Sequence, residues 1–182
     1  VGSVDFARAQ ADNERFMMLG GGAPRAKNYN FFGFGGTDTT KSRVNYSGSE
    51  RPGTIVINTA ERKLYLVEEG GSALQYGVGV GRVGFTWKGT HKITAKKEWP
   101  EWTPPPEMLQ RRPDLPHFMA GGPDNPLGAR AMYLGTSLYR IHGSNEPWTI
   151  GQAVSSGCIR MRNEDVTDLY ERVKVGTKVI VI

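Results

Sequence analysis

Cysteine is almost missing from this chain: Cys158 is the one cysteine in 182 residues. A single cysteine forms no internal disulfide, and a thiol redox cycle would lack its resolving partner. Histidine is nearly as scarce. His91, His117 and His142 stand 26 and 25 residues apart, so no local pair has metal-ligand spacing and neither a metal nor a cofactor is expected. No apolar run is long enough to cross a bilayer as a helix, so no transmembrane segment is expected. Charge of one sign is also in short supply. The 23 Lys plus Arg exceed the 18 Asp plus Glu by a net +5, spread along the chain. That suits contact with an anionic polymer but is too diffuse to imply nucleic acid. No leader is visible, yet the chain begins at Val1 rather than Met, so export is not excluded.

Glycine and proline, by contrast, are plentiful, at 24 and 11 residues. They favour a turn-rich β protein over a helix bundle, and the length suits one domain plus an extension. Residues 1–50 read as an N-terminal arm or linker of little regular structure. "DFARAQADNERFMML" offers only a loosely periodic short helix, and Tyr29, Phe31, Phe32 and Phe34 follow in a Gly, Asn and Ser-rich stretch. The arm is either a tether or packed on the domain through those aromatics.

Residues 51–182 read as the domain. "TIVINT" and "KLYLVEE", joined by the polar turn "AER", predict a hairpin. "ALQYGVGVG", "THKITAKK", "AMYLG", "SLYRIHG" and "TKVIVI" are further strand candidates. One substantial helix is predicted over about 164–173, with Asn163 as its cap, Glu164 and Asp165 in its first turn, and Val166, Leu169, Tyr170 and Val173 on one face. Gly176 follows as a stop. The expected fold is mostly β, largely antiparallel.

"GVGVGRVG" contains G-x-G-x-x-G at Gly79, Gly81 and Gly84. A dinucleotide site needs a helix to open inside that motif, whereas "FTWKGTHKIT" continues as turn and strand. These glycines fit strand bends and close backbone approach instead.

The chemistry converges on "SSGCIRMRNED". A cysteine nucleophile needs a base, oxyanion donors and access to substrate. His142 ends a predicted strand sixteen residues before Cys158. If the two segments lie side by side, an imidazolium would lower the thiol pKa. Gly157 would admit a substrate carbonyl, with the N–H groups of Gly157 and Cys158 as donors. Arg160, two positions on, would share the face of Cys158 in an extended segment and hold a substrate carboxylate, or pair with a protein carboxylate or backbone carbonyl and shape the loop. The competing readings are a buried structural thiol and a strand-end histidine bonded to backbone.

"HGS" at 142–144 followed by "SSGCIRMRNEDVTDLY" at 155–170 resembles the L,D-transpeptidase catalytic domain, the YkuD family, of the proteobacterial type. The similarity runs from about Thr54 to Ile182 and includes "RKLYLVEEG", "GVGVGR", "GGPDNPLGARAMYLG" and "VKVGTKVIVI" in order. Two positions depart from the pattern. Thr86-Trp87-Lys88-Gly89 stands where the family often has Thr-Pro-x-Gly, and Ser156 where many members have histidine.

The resemblance implies a β-sandwich-like catalytic domain acting in the periplasm on peptidoglycan stem peptides. Cys158 would attack the bond between an L-diamino acid and D-Ala, releasing D-Ala and leaving a thioester. An amine would then take the acyl group, giving a 3→3 cross-link or attachment of an outer-membrane protein or lipoprotein. His142 would be base and acid, the Gly143 carbonyl would orient it, and Ser156, Gly157 and Arg160 would line the site. "HFMAGGPDNPLG" at 117–128 would form a lid or wall, or an ordinary surface loop. Trp99, Trp102 and Trp148 would offer faces to glycan or pack in the core. An L,D-carboxypeptidase using water at the same site, and a non-catalytic wall-binding module, remain the alternatives.

Overall fold

Short β-branched and aromatic runs separated by Gly, Asn and Ser build this molecule. The computed structural model describes residues 38–104, 106–155 and 157–182. The N-terminal helical stretch, Tyr29, Phe31, Phe32, Phe34 and Ser156 lie outside them. The strands are β1 (Ser42–Asn45), β2 (Ile55–Asn58), β3 (Lys63–Glu68), β4 (Ser72–Gly77), β5 (Val80–Gly81), β6 (Gly89–Glu98), β7 (Arg130–Leu134), β8 (Arg140–His142), β9 (Ala153–Ser155), β10 (Ile159–Arg160) and β11 (Lys178–Val181). The helices are α1 (Pro106–Arg111) and α2 (Asn163–Arg172).

Nine strands form one sheet in the order β1-β4-β3-β2-β11-β6-β7-β8-β10, while β5 and β9 pair separately. The long strand β6 belongs to both halves of the sheet. Its first residues pair with β11 and the rest with β7, with a register shift between Ile93 and Ala95. Such a bulge bends a strand and re-aims its side chains. Ile55, Ile57, Leu64 and Tyr76 of one half and Met132, Leu134, Ile141 and Ile159 of the other then share one core with Val166 and Leu169 of α2. The predicted β2–β3 hairpin is present, and most pairings are antiparallel. Three are parallel: β2–β11, β8–β10 and β5–β9.

Three local expectations change. "ALQYGVGVG" is not one strand: β4 ends at Gly77, and Gly79 bridges Arg160 instead. A Cβ on Gly79 would come within 3.0 Å of the Thr149 carbonyl oxygen, so glycine permits that approach. Asn163 does not cap α2; Arg162 holds the cap position without a side-chain bond. The Asn163 side chain instead accepts hydrogen bonds from the backbone N–H groups of Ala129 and Ser144, at 3.0 and 3.2 Å. Finally, part of the stretch read as an arm is a strand, since β1 pairs antiparallel with β4 at the edge of the sheet.

The excursion between β6 and β7 carries α1 and a small apolar cluster of Trp102, Leu115 and Leu127. Trp102 and Met119 exchange backbone hydrogen bonds within it. Among the described residues no helix is long and apolar enough to cross a membrane.

Candidate active site

β8 and β10 run side by side, with Ile159 level with Ile141 and Arg160 level with His142. Residues level in adjacent strands share a face of the sheet. His142 and Arg160 therefore stand together, and Cys158, two residues before Arg160, falls in the same row. The pairing closes the sixteen-residue gap between histidine and cysteine. Ile141 and Ile159 turn the other way, into the core.

His142 is wholly buried. Its Nδ1 lies 2.5 Å from the Gly143 carbonyl oxygen. A carbonyl only accepts, so Nδ1 carries the proton and Nε2 presents a lone pair. Nε2 is buried and has no hydrogen-bond partner among the described residues. Burial chiefly, with the guanidinium groups of Arg160 and Arg140, holds the imidazole pKa down to about 3, against the opposing pull of the Gly143 carbonyl. The imidazole is therefore neutral at rest. The expected imidazolium beside the sulfur is not present, because burial and two nearby cations disfavour it.

Cys158 is buried, with Sγ 3.9 Å from the Leu138 carbonyl oxygen. Its loop is tied internally by a residue whose part the sequence did not reveal. Ser155 Oγ accepts from the Gly157 N–H at 3.1 Å and donates to the Cys158 carbonyl at 2.7 Å. The Gly157 N–H is thus engaged within the loop, which corrects its assignment as an oxyanion donor. Gly157 itself is required sterically. Its φ is +126°, and a Cβ there would lie 2.2 Å from Cε1 of Tyr139.

Over this loop lies an aromatic wall. Trp87 stacks on Tyr139 with centroids 4.1 Å apart and planes 3° from parallel, and meets His91 edge-on at 5.2 Å. Trp87 Nε1 donates to the Gly157 carbonyl oxygen at 2.8 Å. This tryptophan occupies the position where the chain departs from Thr-Pro-x-Gly, and that departure was the available signal for it. Burial first, and then Cys158, push the Tyr139 phenol up to about 12, so it stays protonated.

Arg160 is brought to the site but points inward. It is 1% exposed, and Nη1 lies 3.8 Å from Oε2 of Glu146. Glu146 is itself buried, with its N–H donating to Ser144 Oγ at 2.8 Å. The guanidinium is thus enclosed by protein and paired with a protein carboxylate, as in the loop-shaping reading, rather than offered to a cleft as the substrate-gripping reading requires. The tryptophans divide. Trp102 is buried in the small cluster, which removes it as a glycan face, whereas Trp99 and Trp148 are exposed. The 117–128 stretch belongs to the excursion between β6 and β7, with Leu127 buried and Phe118 exposed.

The family model describing the L,D-transpeptidase catalytic domain (YkuD) matches residues 52–181. A probable L,D-transpeptidase of Escherichia coli, ErfK/SrfK, is 42% identical over 137 residues, 70% of this chain and 43% of its own length. The probable L,D-transpeptidase YbiS of the same organism is 42% identical over 134 residues, with 69% and 43% covered. This chain therefore spans less than half the length of those curated relatives. Among solved structures, an L,D-transpeptidase from Mycobacterium smegmatis shares the fold at TM-score 0.54 and 20% identity, covering 71% of this chain and 58% of that one. A Brucella melitensis protein described as a probable carnitine operon oxidoreductase is 47% identical, with a TM-score of 0.53 and 80% and 94% of the two chains covered. The G-x-G-x-x-G stretch here lends that description no support, since β5 leads through a turn to β6 with no helix to receive a pyrophosphate.

Proposed function

This chain belongs to the L,D-transpeptidase catalytic-domain family, and from that premise we propose that it cross-links or trims peptidoglycan stem peptides through a Cys158 thioester. The observation that supports the chemistry best is the tautomer of His142. Its Nδ1–H is held by Gly143, and its unprotonated Nε2 lies on the face shared with the cysteine segment.

In the proposed reaction, His142 Nε2 takes the thiol proton as Sγ adds to the carbonyl of the L-diamino acid. Collapse of the tetrahedral intermediate breaks the C–N bond, and the imidazolium returns the proton to the departing D-Ala amine. The thioester keeps the acyl group. An acceptor amine then attacks it, gives a proton to His142, and expels the sulfur, which recovers its proton. Gly143 would orient the imidazole throughout, in the place of a triad carboxylate.

The acceptor we favour is the side-chain amine of a neighbouring stem, giving a 3→3 cross-link, with an outer-membrane protein or lipoprotein amine as a second possibility of the same chemistry. The periplasm is the proposed location, since this polymer lies there. Ser156 and Gly157 would border the donor. Purified wall fragments incubated with the protein, with a Cys158→Ala control, test the reading by mass spectrometry. Cross-linked dimers with loss of D-Ala are expected. Trimmed monomers alone would make it an L,D-carboxypeptidase, and no change in any fragment would overturn catalysis on this polymer.

A further inference from the structure

Asn163 opens α2, yet its side chain does not serve that helix. Asparagine is a favoured capping residue because its amide oxygen accepts from the free N–H groups of a helix start. Here that oxygen, Oδ1, accepts instead from the backbone N–H groups of Ala129 at 3.0 Å and Ser144 at 3.2 Å. Two donors on one atom also settle which end of the amide is oxygen. The helix gains nothing from this arrangement; the segment carrying His142 does.

The Ser144 N–H belongs to the same peptide unit as the Gly143 carbonyl, and that carbonyl oxygen lies 2.5 Å from His142 Nδ1. In a planar trans peptide the N–H and C=O point in opposite directions. Asn163 and the imidazole therefore hold one peptide from its two sides, and fixing the N–H aims the carbonyl. Hydrogen bonds in such a chain polarise one another, which makes the Gly143 oxygen a stronger acceptor for the Nδ1 proton. Glycine at 143 permits the approach, since a Cβ there would lie 2.3 Å from Asn163 Oδ1. The same amide links the two halves of the site. Asn163 follows Cys158 by five residues, and the Met161 N–H donates to the His142 carbonyl oxygen at 2.8 Å between the same two segments.

We infer that Asn163 is a positioning residue for proton transfer at His142: through the Gly143–Ser144 peptide it holds the ring with Nδ1 protonated and Nε2 bare. The inference rests on the proposed function for the reaction that this orientation serves. Its action is indirect, carried by the peptide between amide and imidazole.

Nitrogen NMR of the full chain with isotopically labelled histidine reports the tautomer at neutral pH, and His142→Gln assigns the signals. Asn163→Leu removes the acceptor at similar volume, while Asn163→Asp keeps an acceptor and makes it charged. In Asn163→Leu the ratio of the Nδ1–H to the Nε2–H tautomer should fall about twofold to tenfold, the range that one hydrogen bond spans. Its kcat on a tetrapeptide donor should fall about tenfold with KM held within about twofold, the mark of a misplaced reacting group rather than a lost substrate contact. Asn163→Asp should keep the tautomer and move the Ser144 amide proton downfield, because a charged acceptor shortens the bond. That variant serves if Asn163→Leu does not fold. A folded Asn163→Leu with an unaltered tautomer ratio, or a Ser144 amide resonance unmoved in Asn163→Asp, would overturn the positioning role. A tautomer that responds to Asn163 in a protein without turnover would overturn the proposed reaction and leave the role standing.

Discussion

The indole N–H of Trp87 holds the carbonyl oxygen of Gly157, the residue immediately before Cys158, at 2.8 Å. In a planar trans peptide, fixing that carbonyl fixes the opposite direction of the Cys158 N–H. Trp87 thereby sets the orientation of the Cys158 peptide unit, while its stack on Tyr139 keeps the indole in place.

Trp87→Phe keeps an aromatic surface and removes the donor. Turnover of a tetrapeptide donor should fall roughly tenfold to a hundredfold, as expected for small misplacement of a reacting group. Stability should fall by about 1 kcal/mol, the worth of one hydrogen bond. Trp87→Ala should cost more in both. Stopped-flow turnover and thermal melts decide it; unchanged turnover in Trp87→Phe would leave the hydrogen bond without a positioning role.

At the far edge of the sheet, β1 covers β4, and Arg43 makes two hydrogen bonds to the Glu68 carboxylate, at 2.9 and 3.1 Å. A chain shortened to begin at Glu50 loses that strand and exposes the backbone of β4 as a new edge. We expect a lower melting temperature and stronger self-association by light scattering, with turnover per folded molecule within about threefold of the unshortened chain, since β8 and β10 lie at the other end of the strand order. A folded, inactive product would assign residues before Glu50 a part in building the site.

The β2–β3 hairpin, the helix near 164–173 and the strand bearing His142 were legible because each is a local pattern of side chains. The His142–Cys158 association was legible as a motif, and its register was not, because strand pairing is a long-range event that neither segment encodes alone. The same reason hid the side-chain bonds of Asn163. As a helix-capping residue type at a helix start it gave the local signal, yet its amide oxygen is taken by Ala129 and Ser144 across the fold. Arg160 shows the converse. Its place two residues after the cysteine was readable, but its burial against Glu146 depends on a chain turn about fourteen residues earlier that spacing does not specify. Trp87 was visible as a departure from pattern, and only the structure shows what its indole touches.

The buried imidazole gives a pH signature. His142 has a folded pKa of about 3, below its ordinary value of 6.5. On acidification the unfolded chain takes up this proton before the folded one does. The stabilisation is whole above about pH 6.5 and drains away as pH falls towards 3, at roughly 1–2 kcal/mol per pH unit once the unfolded histidine is charged. Denaturant melts from pH 7 to pH 4 should show this slope, and a folded His142→Gln variant should have a shallower one by close to one proton. Parallel slopes would mean that the imidazole is charged in the folded protein.

Arg160 and Glu146 pose the last test, because a buried pair is costly to break and cheap to replace. With the guanidinium 1% exposed and 3.8 Å from the carboxylate, Glu146→Gln leaves a positive charge in the interior. A loss of about 3–5 kcal/mol is expected, the usual cost of stranding one member of a buried pair. Arg160→Met strands the carboxylate instead and should cost a similar amount. Arg160→Met combined with Glu146→Leu removes both charges and should be more stable than either single variant, so the double-mutant cycle gives a large coupling. The pair also acts on His142. Arg160 is the second cause, after burial, of the depressed His142 pKa, and its removal should raise that pKa and move the acid limb of the melts to higher pH. Arg160→Lys separates scaffold from substrate contact. Loss of melting temperature together with slower alkylation of Cys158 by a small neutral reagent is expected, since the loop itself is disturbed. A variant of unaltered stability and alkylation rate that has lost only donor turnover would return the guanidinium to the substrate.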